Sequence, residues 1–248
     1  MNITIKNSEQ IEKMRASGKI LKQTLDLLEK SIYPGQTTQR LNDLAYNYII
    51  SQGATPSFLN YEGFPYTICA SLNAQVVHGF CSNKPLKEGD IISIDCGVIY
   101  KGYHSDAART FPVGNISIEN SNLIEATKQS FFEGIKDIKA GSRLGHISHK
   151  IQVYLESRGY GVVRELCGHG VGTHLHEDPL VPNYGKYNSG IVLEEGMTLA
   201  IEPMSTLGKR DVYLEDNDWT VTTQDGKPSA HYENTVLITK DGVEILTL

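Results

Sequence analysis

Four carboxylates and one histidine lie in apolar or glycine-rich stretches of this 248-residue chain. A carboxylate in such surroundings costs free energy unless it is paired with a cation or bound to a metal ion. Because five such positions occur in one chain, we expect these side chains to converge and share metal ions. The five residues are Asp95, Asp106, His169, Glu202 and Glu233.

The charge of this set favours two metal ions over one. Four carboxylates around one divalent ion would leave a net charge of about −2 in a site of low dielectric constant, whereas around two ions the sum is about zero. Paired metal ions about 3.5–4 Å apart are a recurring device for hydrolysis. Oxygen ligands with one imidazole indicate Mn²⁺, Fe²⁺, Co²⁺ or catalytic Zn²⁺, and the residues do not choose among these four ions.

Hydrolysis of a peptide bond also needs groups that move protons and stabilise charge. A divalent ion can lower the pKa of bound water from 15.7 to about 7, which makes that water a nucleophile at neutral pH. Glu202 is a candidate to accept the proton and return it to the leaving amine. An imidazole N–H from His78 or His176 could stabilise the negative oxygen of the tetrahedral intermediate.

The elements that must position these residues form a pattern that occurs twice. Residues 32–53 align without a gap on residues 138–159, at an offset of 106 residues, and each segment predicts a turn, a helix and a closing glycine. Each is preceded by another predicted helix, at residues 8–31 and 118–137, and each helix pair is followed by strands. The predicted strands are residues 66–70, 91–98, 107–113, 162–165, 198–202, 219–223 and 232–239.

This pattern predicts an α+β protein with two helix–helix–sheet halves, about 8–113 and 118–248, around a mostly antiparallel sheet. We expect a single catalytic domain, 1–248, because no linker or low-complexity stretch divides the halves. Each half supplies two of the four carboxylates. The metal site is therefore expected at a pseudo-two-fold seam, where strands from both halves can hold its ligands rigidly.

A further histidine, His231, lies two residues before Glu233 on a predicted strand. Alternate residues of a strand point to the same face, so both side chains are expected to face the same way. The imidazole of His231 is either a hydrogen-bond donor behind the metal ions or a partner in a cross-strand hydrogen bond. The pattern leaves both interpretations open.

The composition excludes several classes of protein. The net charge of −6 gives no basic footprint for nucleic acid, and no apolar run is long enough to cross a membrane. Residues 1–19 are polar and mixed in charge, unlike a signal peptide. Four cysteines without C-x-x-C spacing indicate reduced thiols in a cytoplasmic protein. These cysteines are Cys69, Cys81, Cys96 and Cys167.

Short motifs surround the candidate residues, in a fixed order along the chain. They are Ser71-Leu72-Asn73, Val77-His78-Gly79, Asp95-Cys96-Gly97, His104-Ser105-Asp106, Gly168-His169-Gly170, His176-Glu177-Asp178-Pro179, Ile201-Glu202-Pro203 and His231-Tyr232-Glu233-Asn234-Thr235. In these motifs the chain resembles the short bacterial type I methionine aminopeptidases, which have the pita-bread metallopeptidase fold. The resemblance runs from about Ile11 to the C-terminus. Only 26 residues separate His176 from Glu202, so the helical insert of the type II enzymes is absent.

The resemblance implies a role for each matching position. The five candidate ligands match the family's metal ligands, and Asp106 and Glu233 match the residues that bridge the two ions. His78 and His176 match histidines that face the substrate without binding metal. Glu202 matches a ligand that also accepts a proton. The wall of a methionine pocket is implied for Tyr61, Phe64, Cys69 and Trp219.

Two pocket positions depart from the family's pattern. Phe58 and Leu175 stand where the better-known bacterial members carry Cys and Phe, which leaves the detailed shape of the pocket open. Asn73 and Ser229 match positions near a structural monovalent-cation site. The resemblance therefore implies two divalent ions and, near these two residues, one monovalent cation.

The resemblance implies removal of the N-terminal methionine from nascent proteins and peptides with a small second residue. We expect a cytoplasmic monomer with a transient ribosome contact. One alternative is an X-Pro aminopeptidase or dipeptidase of the same fold, although such enzymes usually carry a long extra N-terminal domain. A second alternative is a non-enzymatic binding protein of this fold, but such relatives have lost metal ligands, and all five candidates are present here.

Overall fold

A computed structural model describes residues 2–248, which contain four α-helices. The first helix begins after Asn7, whose side chain accepts a hydrogen bond from the backbone of Gln10, while the Gln10 side chain accepts one from the backbone of Asn7. This capping box satisfies N–H groups that have no partner within the helix. The helices are α1 (Ser8–Glu29), α2 (Thr38–Ser51), α3 (Ile118–Ile135) and α4 (Leu144–Glu156).

The predicted repeat is visible in the backbone. Helices α2 and α4 begin 106 residues apart, as the sequence offset requires. The glycines that precede them, Gly35 and Gly141, have φ angles of 96° and 92°. Only glycine adopts such angles readily, so the same turn brings the chain into the second helix of each half.

The helix pairs are followed by short strands, fifteen in the described part of the chain. They are β1 (Thr55–Pro56), β2 (Ile68–Leu72), β3 (Gln75–Val77), β4 (Ile91–Tyr100), β5 (Tyr103–Pro112), β6 (Gly161–Val162), β7 (Cys167–Gly170), β8 (Glu177–Pro182), β9 (Thr198–Ile201), β10 (Met204–Thr206), β11 (Val212–Leu214), β12 (Val221–Thr223), β13 (Ser229–His231), β14 (Asn234–Ile238) and β15 (Val243–Ile245).

The strands form four sheets, and the strands within each sheet pair antiparallel. In the first half, β4 pairs with β1, β2 and β5. The second half contains a five-stranded sheet in the order β15-β14-β9-β7-β8. Two three-stranded sheets have the orders β13-β10-β6 and β11-β12-β3, and the latter pairs a strand of the first half with the second half. The predicted α+β class and mostly antiparallel pairing are confirmed.

The two halves also meet where β5 lies against the segment between β13 and β14. The N–H of Glu233 donates to the carbonyl of Ala108 at 2.9 Å. The N–H of Asp106 donates to Thr235 Oγ1 at 2.8 Å, and the Thr235 hydroxyl donates to the carbonyl of Asp106 at 2.9 Å. These bonds fix one candidate ligand from each half at the seam.

The strands of the second half differ from the prediction. The strand predicted at 232–239 begins later, as β14 at Asn234, and the short strands β10, β11, β13 and β15 were not predicted. The backbone of Glu233 bonds to β5 instead of continuing β13 or β14. Strands β7 and β8 were not predicted, since β7 contains two glycines and β8 two prolines, residue types that are depleted in strands.

Each half has its own cluster of buried apolar side chains. In the first half, Leu21 of α1 belongs to the same cluster as Ile94 of β4. In the second half, Ile147 of α4 belongs to the same cluster as Leu199 of β9. Within residues 2–248, the helices are all too short or too polar to cross a membrane. The helices thus cover the strands that carry the candidate site.

Candidate metal centre

The hairpin of β4 and β5 positions the two aspartates. Asp95 pairs with Ala108, and Asp106 pairs with Gly97. This register makes the two carboxylates diagonal neighbours on one face of the hairpin, a separation that side chains can span. The Asp106 residue is only 4% exposed. The first half therefore delivers two acidic side chains to one buried point.

The five-stranded sheet brings the other three candidates to the same point. His169 of β7 pairs with Ala200 of β9, and Glu202 follows directly after β9. Asn234 of β14 pairs with Ile201, so Glu202 and Glu233 leave adjacent strands at the same edge. The Glu233 side chain is 2% exposed and that of Glu202 is 13% exposed.

The structure brings all five predicted residues together. His169 Nε2 lies 3.6 Å from Asp106 Oδ2 and 3.9 Å from Glu202 Oε1. Asp106, His169 and Glu233 each place a ligand atom within 4.8 Å of the others, a spacing that one ion could bridge. The Asp95 carboxyl group is close enough to that of Asp106 for each to affect the pKa of the other.

The unpartnered atoms and charges of this cluster fit divalent cations. Asp95 Oδ1 and Asp106 Oδ1 are buried and have no hydrogen-bond partner among the protein atoms. Burial, with Glu202 nearby, raises the pKa of Asp95 to about 6, and burial raises the pKa of Glu202 to about 8. Burial and neighbouring carboxylates hold the pKa values of Asp106 and Glu233 well above their usual range. Cations among these groups would stabilise their ionised forms.

His169 has the orientation of a neutral ligand. Its Nδ1 donates to the carbonyl of Gly170 at 2.9 Å, which leaves Nε2 free to face the carboxylates. Burial, with His176 nearby, lowers the pKa of His169 to about 4, so the ring is neutral at pH 7. A hydrogen bond from the second ring nitrogen to a backbone carbonyl is typical of metal-binding histidines.

Both ring nitrogens of His231 are buried and have no hydrogen-bond partner within residues 2–248, so the imidazole makes no cross-strand hydrogen bond. Its Nε2 lies 3.4 Å from Glu202 Oε2 and 3.9 Å from Glu233 Oε2, behind the cluster. Its backbone N–H donates to Thr110 Oγ1 at 2.9 Å, across the seam. Burial lowers the pKa of His231 to about 4. A neutral imidazole here can donate to one carboxylate and orient it.

An apolar cavity of about 180 Å³ opens on the cluster. Every predicted pocket residue lines it, and so do the two positions that depart from the family's pattern. Trp219 packs edge-on against Phe64, with ring centroids 5.1 Å apart. The apolar and aromatic lining residues are Phe58, Tyr61, Phe64, Cys69, Leu175 and Trp219. Side chains from both halves of the protein therefore form the wall of this cavity.

His78 and His176 lie between this pocket and a second, wider cavity of about 610 Å³. His78 has a φ angle of 57°, in the left-handed region that costs a non-glycine residue free energy, so the surrounding structure must hold it there. Burial, with His231 and His176 nearby, lowers the pKa of His78 to about 4. Burial also lowers the pKa of His176, whose Nδ1 lies 2.9 Å from the Tyr61 hydroxyl. Both rings are therefore neutral and can donate to a substrate.

Arg109 holds the seam together, a role that the sequence did not reveal. Its guanidinium donates to the carbonyls of Ala108 and Glu233, and to Asn234 Oδ1 at 2.6 Å. It also lies 4.4 Å from the ring centroid of Tyr232. The only signal in the sequence was a lone arginine within an apolar strand. Its bonds fix the backbone that carries Glu233.

Asn73 and Ser229, the residues matched to a monovalent-cation site, are in direct contact. The Ser229 N–H donates to the carbonyl of Asn73 at 2.9 Å, and its hydroxyl donates to the carbonyl of Gln75 at 3.0 Å. Asn73 has a φ angle of 52° and donates through its side chain to Asp90. The turn brings several backbone oxygens together, and the cation itself stays a prediction.

Comparison with known proteins decides the family. The profile of Metallopeptidase family M24 matches residues 12–240. The chain belongs to metallopeptidase family M24. A methionine aminopeptidase of Clostridium acetobutylicum is 55% identical to this M24 chain over 247 residues, with 99% of both proteins covered. The crystal structure of methionine aminopeptidase from Rickettsia prowazekii covers 100% of both chains, with 44% identity and a TM-score of 0.98.

The comparisons confirm the predicted resemblance and the pita-bread fold, and M24 membership makes the chain a divalent-metal-dependent peptidase. A prolidase from Pyrococcus furiosus shares the fold with a TM-score of 0.79. The two sequences are only 24% identical, and the matched region covers 98% of the M24 chain and 65% of the prolidase. Identity at that level shows the common fold alone.

Proposed function

We propose that this M24 chain is a methionine aminopeptidase, which removes the N-terminal methionine from polypeptides with a small second residue. One observation carries the proposal: the pocket with apolar and aromatic walls opens directly on the five-residue cluster. A methionine side chain in this pocket would place the first peptide bond beside the cluster. The proposal agrees with the function named for the full-length relatives from Clostridium acetobutylicum and Rickettsia prowazekii.

The cluster would hold two divalent ions of the Mn²⁺, Fe²⁺, Co²⁺ or Zn²⁺ class. When bound, such ions supply Lewis acidity and make water acidic enough to attack a carbonyl near neutral pH. The proposed ligands are Asp95, Asp106, His169, Glu202 and Glu233. A monovalent cation is proposed separately at the turn of Asn73 and Ser229, where backbone oxygens converge.

Three side chains beside the scissile bond would move protons and bind charge. Glu202 accepts a proton from the attacking water and returns it to the leaving amine, a role supported by its position in the lining of both cavities. His78 and His176 donate hydrogen bonds to the oxygen that becomes negative, since both are neutral and line the cavities at the cluster. These roles require no charge change in either histidine.

The pocket supports selectivity for methionine at the first position. Aromatic faces and the Cys69 thiol surround it, and a thioether gains about 0.3–1.5 kcal/mol from each sulfur–aromatic contact. Tyr61, Phe64, His78, His176 and Trp219 would complete the contacts to substrate. The second residue must pass between the cluster and the two histidines, so a small side chain is expected there.

The cellular setting follows from the same proposal. We propose that the substrates are the N-termini of nascent polypeptides, reached in the cytoplasm through a transient contact with the ribosome. The four cysteines are free, as expected for that compartment. All five proposed ligands come from one chain, so a monomer can form the site.

A peptide panel separates this function from its alternatives. Protein loaded with Mn²⁺ or Co²⁺ is assayed on Met-Ala-Ser, Met-Leu-Ser and Ala-Pro-Ala. We expect methionine release from Met-Ala-Ser and at least 100-fold slower release from Met-Leu-Ser, because about 1 Å of misplacement can cost 10²-fold in rate. We expect no cleavage of Ala-Pro-Ala. Preferred cleavage of Ala-Pro-Ala would identify an X-Pro enzyme, and binding without turnover of any peptide would identify a binding protein.

A further inference from the structure

Residues 2–6 lie against the turn that carries His176. Ile3 forms a parallel bridge with Asp178, and the N–H of Asn2 donates to Asp178 Oδ2 at 2.6 Å. Lys6 follows a few residues later and is 7% exposed, unlike its neighbours in this segment. This mostly exposed segment thus places one buried side chain, the ammonium group of Lys6, beside the candidate active site.

The Lys6 side chain meets a buried carboxylate that the proposed chemistry does not use. Lys6 Nζ lies 2.8 Å from Glu177 Oε2, and the two side chains are 5% and 6% exposed. The Thr4 hydroxyl donates to the same oxygen at 2.6 Å. The N–H of Lys6 donates to the carbonyl of Gly196 at 2.9 Å, which ties the segment to the second half. The cation is therefore held by both its backbone and its side chain.

The second oxygen of Glu177 holds the backbone of the turn. The N–H of His174 donates to Oε1 at 3.1 Å, and the Thr173 hydroxyl donates to it at 3.4 Å. Gly172 approaches so closely that a Cβ there would lie 2.6 Å from both Glu177 Oε1 and Lys6 Cε. The turn from Gly172 to Glu177 is folded around one carboxylate.

His176 directly precedes Glu177 in the turn. The hydrogen bonds that fix the backbone of this turn therefore also fix the backbone of His176. Its Nδ1 lies 2.9 Å from the Tyr61 hydroxyl, and its ring centroid lies 4.4 Å from that of His169. The imidazole reaches the substrate cavities only if this turn keeps its shape, because Tyr61 is its single hydrogen-bond partner in the described part of the chain.

We propose that Lys6, Thr4 and Glu177 form a clamp that positions His176 for catalysis. None of the three is a proposed metal ligand, and Glu177 lines the wider cavity beside His176 without being a proposed substrate contact, so these are positioning residues. The inference rests on the proposed function, and it makes the N-terminal segment part of the active site.

The charges of the clamp are consistent with this role. Burial opposes ionisation of Glu177, yet hydrogen bonds from Lys6, Thr4 and His174 lower its pKa to about 2. The Glu177 carboxylate is therefore ionised at neutral pH, whereas burial lowers the pKa of Lys6 and the contact with Glu177 opposes that effect. Removing one partner of a buried ion pair leaves an uncompensated charge, which drives the other partner toward solvent. Loss of the Lys6 cation should consequently displace the turn.

Kinetics of three variants test the clamp on metal-loaded protein. We expect Lys6→Met and Glu177→Gln to lower kcat on Met-Ala-Ser by about 10- to 100-fold with unchanged metal content, because small displacements of catalytic groups are costly. Thr4→Val keeps the ion pair and should lower kcat less. Lys22→Met removes an exposed ion pair with Asp26 on α1 and serves as the control with unchanged kcat. Wild-type kcat in all three clamp variants would overturn the proposal.

A double-mutant cycle separates positioning from general destabilisation. If the clamp acts through His176, then Thr4→Val and Lys6→Met should have no further effect on the residual activity of His176→Ala. Additive losses would mean that the clamp acts elsewhere and would overturn the proposal. Should Lys6→Met fail to fold, Thr4→Val alone decides the cycle.

A readout independent of turnover keeps this proposal distinct from the proposed function. The ¹⁵N imidazole signals of His176 in protein loaded with diamagnetic Zn²⁺ should shift or broaden in Thr4→Val and Lys6→Met, and should be unchanged in Lys22→Met. Unchanged His176 signals in both clamp variants would overturn the clamp. Absence of methionine release by wild-type protein would instead overturn the proposed function.

Discussion

At the scale of single residues, the candidate centre consists of groups whose usual protonation states are displaced by burial. Burial raises the pKa of Glu202 to about 8 and lowers that of His169 to about 4. The carboxyl group of Glu202 resists ionisation and the imidazole of His169 resists protonation. The two groups therefore do not form an ion pair that would neutralise the charge of the site. Divalent cations would relieve this conflict, since they favour ionised carboxylates and neutral imidazole.

The two substrate-facing histidines provide the first prediction. We expect His78→Ala and His176→Ala to keep their metal ions but to lose about 10²–10³-fold in kcat, because removing an oxyanion donor costs on the order of 2.7–4 kcal/mol. Both imidazoles lie outside the group of atoms placed to bind one ion. Elemental analysis beside steady-state kinetics checks both parts. Loss of metal from either variant would make that histidine a ligand.

At the scale of elements, the β4–β5 hairpin carries two of the five candidate ligands and also packs against Phe58 of the pocket. Gly97 pairs with Asp106, and a Cβ at Gly97 would lie 2.7 Å from Phe58 Cε1 and from Ser57 Cβ. We expect Gly97→Ala to push Phe58 into the pocket, raise KM for Met-Ala-Ser and destabilise the fold by about 1–3 kcal/mol, while metal binding is retained.

Gly242→Ala is the matched control for this change. Nothing lies within 4 Å of a Cβ at Gly242, and its φ angle is not in the left-handed region. KM and thermal stability of the control should equal those of wild type. An unchanged KM in Gly97→Ala would show that Phe58 does not limit the pocket.

The contact between β5 and the segment before β14 provides a third prediction. Arg109→Met removes the donors to the Glu233 carbonyl and to Asn234 Oδ1, and buried groups without partners cost about 1–3 kcal/mol each. We expect lower thermal stability and at least tenfold weaker binding of Mn²⁺, measured by titration calorimetry. Arg158→Met, which removes an exposed arginine stacked on Tyr154, should leave metal affinity unchanged. Equal metal affinity in both variants would contradict this role for Arg109.

The elements also show which features the sequence could predict. Both second helices of the repeat were predicted because glycines mark their ends and apolar spacing marks their faces. The metal candidates stood out because a carboxylate in an apolar run, such as Asp95, has few explanations. Arg109 and Lys6 were missed because their partners, Glu233 and Glu177, lie more than 120 residues away. No local pattern encodes such pairs.

At the scale of the whole molecule, the acidic centre couples folding to pH and metal. In metal-free protein, Asp95 and Glu202 have raised pKa values of about 6 and about 8, whereas unfolded carboxyl groups titrate near 4. Between about pH 4 and pH 8 the folded state therefore binds more protons than the unfolded state. Their contribution to the free energy of unfolding consequently falls as pH rises through this window.

This coupling predicts that the stabilisation by metal grows with pH. The difference in Tm between Mn²⁺-loaded and metal-free protein should be larger at pH 8 than at pH 5.5, because protons compete with the ions more strongly at the lower pH. Differential scanning calorimetry at constant ionic strength measures it. A difference in Tm that is independent of pH would mean that the buried carboxyl groups do not bind the added ions.

Turnover of Met-Ala-Ser by metal-stripped protein, titrated with Mn²⁺, tests most directly whether the five-residue cluster is a metal-dependent peptidase site. Protein shown by elemental analysis to be metal-free should release no methionine, and activity should rise with added Mn²⁺ to a plateau. Asp106→Asn should show no such rise, because it removes a carboxylate placed within reach of His169 and Glu233. Full activity in metal-free protein would contradict the assignment of these residues to a metal centre.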